Sequence, residues 1–147
     1  MLKPKIKIMT KFVSFLTMGR AAAITLCPFG IYMKERYLTN LFTINHEKIH
    51  WQQQLEMIII GAIISLIAGI ILLSLGILSW WLLLLLVFPF LFFYLWYLTE
   101  WIIRIPINGR AAYRSLSMER EGWANRENLD YNKTRKLVAW LKYMKAA

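Results

Sequence analysis

The sequence predicts an all-α membrane protein: a transmembrane helical hairpin with cytoplasmic or interfacial helices, and a short N-terminal β-hairpin before it. Three observations carry this. Hydrophobic residues make up 59% of the 147 positions, well above the roughly 45–50% of ordinary soluble domains. Between Met57 and Thr99 there is no charged residue. The 18 Lys and Arg, which against 8 Asp and Glu give a net charge of +10, all lie outside that window. So rich an apolar content excludes a disordered chain. The single cysteine, Cys27, excludes a disulfide framework or a finger built on paired thiols.

A helix crossing the hydrocarbon needs about 20 apolar residues, so the uncharged stretch holds two crossings and a turn. Residues 43–78 read as a helix that runs into span one, with Ile58–Leu78 as the crossing itself, and residues 80–105 as span two. Gly76 and Ser79 supply the turn between them. Basic residues near span ends stay on the cytoplasmic side. Both termini are therefore expected there, with the turn outside.

Residues 1–42 read as an interfacial segment. Arg20, in the middle of the apolar run Phe12–Met33, makes a third crossing costly. Lys3, Lys5 and Lys7 alternate with Ile6 and Ile8, while Ala21–Leu26 and Gly30–Met33 suit short strands about a Cys27-Pro28-Phe29 turn. After span two, Pro106 and Asn108-Gly109 are expected to break the helix. Residues 110–147 then read as cytoplasmic or interfacial helices, one from about Arg110 to Asn128 and one from about Lys133 to Lys145. The latter is basic and amphipathic, with Trp140 among its apolar positions, and suits either membrane lipid headgroups or packing against the rest of the domain. The whole forms one membrane-embedded domain, 1–147.

The two histidines of the chain fall in His46-Glu47-Lys48-Ile49-His50. Residues four apart share a helix face, so both imidazoles can reach one metal ion, with Glu47 about 100° round the helix from His46. Zinc suits two imidazoles and an open position for water. There the carboxylate can move protons while the ion polarises a carbonyl. A catalytic zinc wants a third protein ligand, and with no other histidine a carboxylate is expected: Glu56, Glu100, Glu119 or Glu121. Glu56 points away from His50, and Glu100 closes the second span. Glu119 and Glu121 lie on a helix returning to the side the hairpin left. Eight residues, about 12 Å of helix, separate His50 from Ile58, which sets the metal at the cytoplasmic headgroup level.

The pair His46-Glu-Lys-Ile-His50 and Glu121-Gly-Trp-Ala-Asn125 resembles the HExxH…ExxxD layout of gluzincins. It is similar in particular to membrane-embedded zinc proteases of the CAAX-processing and heat-shock types, and to small bacterial membrane proteins with HExxH before a helical hairpin and an EREA-like segment after it. The resemblance implies a zinc metallopeptidase of the bacterial inner membrane acting on a peptide or membrane-protein substrate. In that layout His46, His50 and Glu121 are the ligands and Glu47 is the general base. Asn125 replaces the family's aspartate, which orients a zinc histidine; the amide oxygen can still accept the imidazole N–H, without the negative charge. Glu119 falls about 200° round the helix from Glu121 and reads as a solvated partner of Arg120 or Arg114.

Such chemistry needs a donor for the oxyanion, for which Tyr113, Tyr131, Arg110 and Arg114 are the candidates. The Ala21–Met33 segment offers an edge to which a substrate strand could add. A competing expectation is a non-catalytic, basic membrane adaptor that binds anionic lipid or a partner subunit. Nucleic acid is not an expected partner: the basic residues are explained by topology, and no nucleic-acid motif is present.

Overall fold

A computed structural model describes residues 3–145. The chain is mostly helical, with a small three-stranded sheet, so the all-α class widens to helix plus sheet. It divides into two compact units: Met1–Gln52 with Ser117–Ala147, and Gln53–Leu116.

The first unit opens with strand β1 (Ile6–Ile8), helix α1 (Lys11–Leu16), β2 (Ala23–Leu26) and β3 (Gly30–Met33). Thr10 caps α1, its hydroxyl accepting from the Val13 amide at 3.3 Å. The expected hairpin is present: β2 and β3 pair antiparallel, with Thr25 opposite Ile31, about a turn whose Cys27–Pro28 bond is cis. The Lys/Ile alternation at the start of the chain forms β1, which adds to β3 in parallel and gives the order β1-β3-β2. Ile31, Met33 and Ile44 form the core here, with Ala23, Tyr37 and Leu38 packed on it.

Helix α2 (Leu41–Ser74) carries the histidine motif over its second and third turns. The Gln52-Gln53-Gln54 run is helical and buried within it. The first unit is completed by α5 (Ser117–Asn125), α6 (Tyr131–Thr134) and a short 3-10 turn, Ala139–Tyr143. Two expectations are corrected here. The helix read from Arg110 to Asn128 is interrupted at Leu116, whose backbone is extended (ψ 137°) and whose side chain is fully buried. The basic helix read over Lys133–Lys145 is broken at Val138, which adopts a left-handed conformation (φ 48°). Of the two settings expected for Trp140, lipid headgroups or packing on the domain, the second is observed: its side chain is buried in protein.

Asn45 ties α5 to the start of α2. Its side-chain amide donates to the carbonyls of Asn125, Arg126 and Asn128 at 3.2, 2.9 and 2.9 Å. These lie at and just beyond the C-terminus of α5, where helix carbonyls lack intrahelical partners.

The second unit contains the rest of α2, a 3-10 turn at Trp80–Leu83, α3 (Leu84–Asn108), and α4 (Ala112–Ser115). α2 and the helical run beginning at Trp80 are both long and apolar enough to cross a membrane. Large apolar side chains face outward along both, among them Leu66, Ile70, Leu86 and Leu98. The two helices approach closely at Gly61, where a Cβ would stand 2.9 Å from the Cα of Pro89. Pro106, expected to end the second span, is tolerated within α3, which stops at Gly109 (φ 52°). Glu100 and Arg104, one turn apart and both buried, form an ion pair at 2.8 Å.

Candidate metal centre

His46 and His50 lie one turn apart on α2 and turn their Nε2 atoms toward each other, 3.0 Å apart. The third member of the group is Glu119, from the first turn of α5. Its Oε1 is 3.2 Å from Nε2 of His50 and its Oε2 is 3.5 Å from Nε2 of His46. The carboxylate therefore bridges the two rings with one oxygen to each. His46, His50 and Glu119 offer ligand atoms within 4.8 Å of one another, an arrangement that could hold a metal ion.

The spacing fits such an ion. Four ligands placed tetrahedrally at about 2.0–2.1 Å stand about 3.3 Å from one another, and the three observed separations bracket that value. The donors are also shielded, with His50 and Glu119 buried and His46 nearly so. Burial by itself would raise the Glu119 carboxyl. The charge of His50, with hydrogen bonds from both imidazoles, outweighs it and holds the group well below the usual carboxylate range. Burial pushes the Cys27 thiol up, which disfavours it as a thiolate ligand.

Glu121, expected as the third ligand, is placed elsewhere. Glu119 and Glu121 point to different sides of α5, as a two-residue offset on a helix requires. The fully buried Glu121 carboxylate accepts from Arg135 Nε at 2.6 Å and Nη2 at 3.2 Å, and from the Tyr131 hydroxyl at 2.9 Å. It is the anchor of the segment that follows α5. Burial pushes the Tyr131 phenol up, and its hydrogen bond to Glu121 adds to the effect. Glu119, expected to be solvated and paired with Arg120 or Arg114, is the carboxylate that meets the histidines.

Asn125 is likewise not a partner of either histidine. Its amide donates to the Glu121 carbonyl at 2.8 Å and to the Tyr143 hydroxyl at 2.9 Å. Nδ1 of His46 is buried and has no hydrogen-bond partner among the described residues. Of the four oxyanion candidates, Tyr131 is committed to Glu121. Arg110, Tyr113 and Arg114 belong to the second unit, with Tyr113 half exposed and its ring against Tyr97.

Glu47 follows His46 in sequence on α2, and its Oε2 accepts from the Thr25 hydroxyl at 2.7 Å. Three further residues shape the centre. Trp123, one turn after Glu119, donates its indole N–H to Glu119 Oε2 at 3.2 Å and sets its ring 5.1 Å from that of His46. Arg126 stacks on the outer face of Trp123 at 4.7 Å. Gly122 allows α5 to approach, since a Cβ there would stand 2.7 Å from Cε1 of His46. A helical wheel of α5 shows part of this: Glu119, Gly122 and Trp123 share a face by their three- and four-residue spacing. Thr25 leaves no comparable trace, because its partner is 22 residues away on another element.

Comparison with protein-family models, with curated proteins and with solved structures returns no match.

Proposed function

We propose that this chain is a zinc-dependent membrane metallopeptidase that hydrolyses peptide bonds near the cytoplasmic face of a bacterial inner membrane. One observation carries the reading: His46, His50 and Glu119 turn their donor atoms to a common point. Two imidazoles and a carboxylate form a donor set typical of catalytic zinc, with a fourth position left open. Zinc held there supplies a Lewis acid for the scissile carbonyl and makes water a stronger nucleophile. Glu47 takes the proton of the attacking water and passes it to the leaving amine. Trp123 and Gly122 keep Glu119 and His46 in register. An extended peptide or a segment of a membrane protein can add to β2, which lies at the edge of the sheet.

The test is to purify the protein in detergent and measure bound metal and cleavage of fluorescein-labelled casein. The expected result is one zinc per chain and activity that disappears in Glu47→Gln while the metal stays. Undiminished cleavage by Glu47→Gln would falsify the reading.

A second reading, a basic membrane adaptor, is favoured by a specific surface. Phe12, Phe15 and Met18 are 70%, 80% and 82% exposed. They lie amid Lys5, Lys7, Lys11 and Arg20, with no acidic residue before Glu35. Apolar side chains ringed by Lys and Arg suit an anionic lipid surface. An adaptor of this kind would purify without stoichiometric metal.

A further inference from the structure

Glu47 projects from the side of a helix on a side chain with three rotatable bonds, so the helix alone does not choose among its rotamers. In the folded chain that choice is made from outside. The Thr25 hydroxyl approaches Oε2 of Glu47 at 2.7 Å and the Glu47 main-chain carbonyl at 3.1 Å. A hydroxyl has one proton to give. The shorter contact, to the side-chain oxygen, is the stronger of the two. Both residues are buried, at 3% and 7% exposure, so water competes little for the bond. The donor is itself held firmly. Thr25 sits in β2 opposite the fully buried Ile31, and a β-branched side chain has few χ1 options in a strand.

We infer that Thr25 is a positioning residue for the Glu47 carboxylate, fixing one of its oxygens from the sheet. This rests on the peptidase reading above, in which Glu47 is the proton carrier. With Oε2 occupied by Thr25, the proton traffic of the reaction falls to Oε1. The geometry also gives the sheet a purpose beyond packing. The strand at whose edge a peptide can add is the strand that orients the reactive carboxylate. A purely structural tie between sheet and helix would instead affect stability and leave turnover of the folded protein intact.

The experiment compares wild type, Thr25→Val, Thr25→Ser and Glu47→Gln in detergent. Co2+ serves as a visible probe of the centre and labelled casein as the substrate. All four are expected to bind one Co2+. Thr25→Val, nearly isosteric but without the donor, is expected to lose about 10²-fold in kcat at little-changed KM, the size of effect a small misplacement of a reacting group produces. Its Co2+ absorption should shift in the direction seen for Glu47→Gln. Thr25→Ser restores the hydroxyl and should return both spectrum and turnover to near wild type. If Thr25→Val fails to fold, Thr25→Cys, of similar size with only a weak S–H donor, carries the same expectation. A Thr25→Val protein with wild-type spectrum and turnover, beside an inactive Glu47→Gln, overturns this inference alone. Cleavage that survives in Glu47→Gln, or a wild type that takes up no Co2+, overturns the peptidase reading and this inference with it.

Discussion

A methyl group on the Cα of Gly122 would stand 2.7 Å from Cε1 and 2.8 Å from Nδ1 of His46. No pair of heavy atoms rests that close without a bond or hydrogen bond, so the approach of α5 to α2 depends on the absence of a side chain at this position. The His46 ring has little room to retreat, with His50 edge-on at 4.6 Å and Trp123 at 5.1 Å between ring centroids. Gly122→Ala is therefore expected to displace His46 or α5. Overpacking of this kind costs about 1–3 kcal/mol, which, where it falls on the metal-competent packing, corresponds to a roughly 5- to 150-fold loss of metal affinity. Competition of the purified protein with a zinc-binding dye measures it.

The two glutamates of α5 should fail in different ways. Glu119→Gln removes a charge from the centre and should abolish tight metal binding while the protein stays folded. Glu121→Gln leaves Arg135 buried without its counter-charge, and breaking a buried pair this way costs about 3–5 kcal/mol. Its thermal midpoint should fall sharply, yet the fraction that remains folded should still bind metal. Metal content and thermal unfolding, measured on both variants, separate the assignment made here from one in which Glu121 is the ligand.

Much of the architecture is legible in the residues alone. The uncharged stretch marks the apolar helices, and the four-residue histidine spacing marks the centre. The strands about Cys27-Pro28 follow from β-branched residues flanking a turn. The choice between Glu119 and Glu121 is not legible in the same way, because it depends on the rotation of α5 about its axis. That rotation is set by Asn45 on the carbonyls beyond Asn125 and by Arg135 on Glu121. Motif alignment favours Glu121 because it ignores these long-range partners. The basic C-terminal helix is misread for the same reason: Arg135 turns inward to a buried carboxylate, and the left-handed Val138 ends the periodicity.

Asn45→Asp tests that account of α5. The substitution keeps the shape and converts a donor facing three carbonyls into an acceptor. These carbonyls are only partly buried, so water can replace the lost donor and the cost is about 0.5–1.5 kcal/mol, that of an ordinary hydrogen bond. Backbone amides in residues 125–131 should exchange faster with deuterium, and metal affinity should drop with them. Unchanged exchange in that segment would show that something else holds the end of the helix.

Acid should weaken the metal-free protein through Glu119. Its carboxyl is held below the ordinary value of 4.5 in the folded chain, so it binds its proton more readily once unfolded. The stabilisation is therefore present above the ordinary value and disappears as pH falls through the lowered folded one. With metal removed by chelation, wild type should be more stable than Glu119→Gln at mildly acidic pH, where the imidazoles carry charge. The gap should narrow as pH falls below the ordinary carboxyl value and close once it passes the lowered folded one. Thermal midpoints of the two proteins across that range check the sign.

The pairing of Glu121 with Arg135 bears on how the protein is made. During synthesis Glu121 leaves the ribosome 14 residues ahead of the guanidinium that pairs with its interior carboxylate. Until Arg135 has also emerged, seating this helix against the two histidines would confine an unmatched charge. On the metal-centre reading, this places completion of the centre late in the polypeptide, with the imidazole half formed before the carboxylate half can seat.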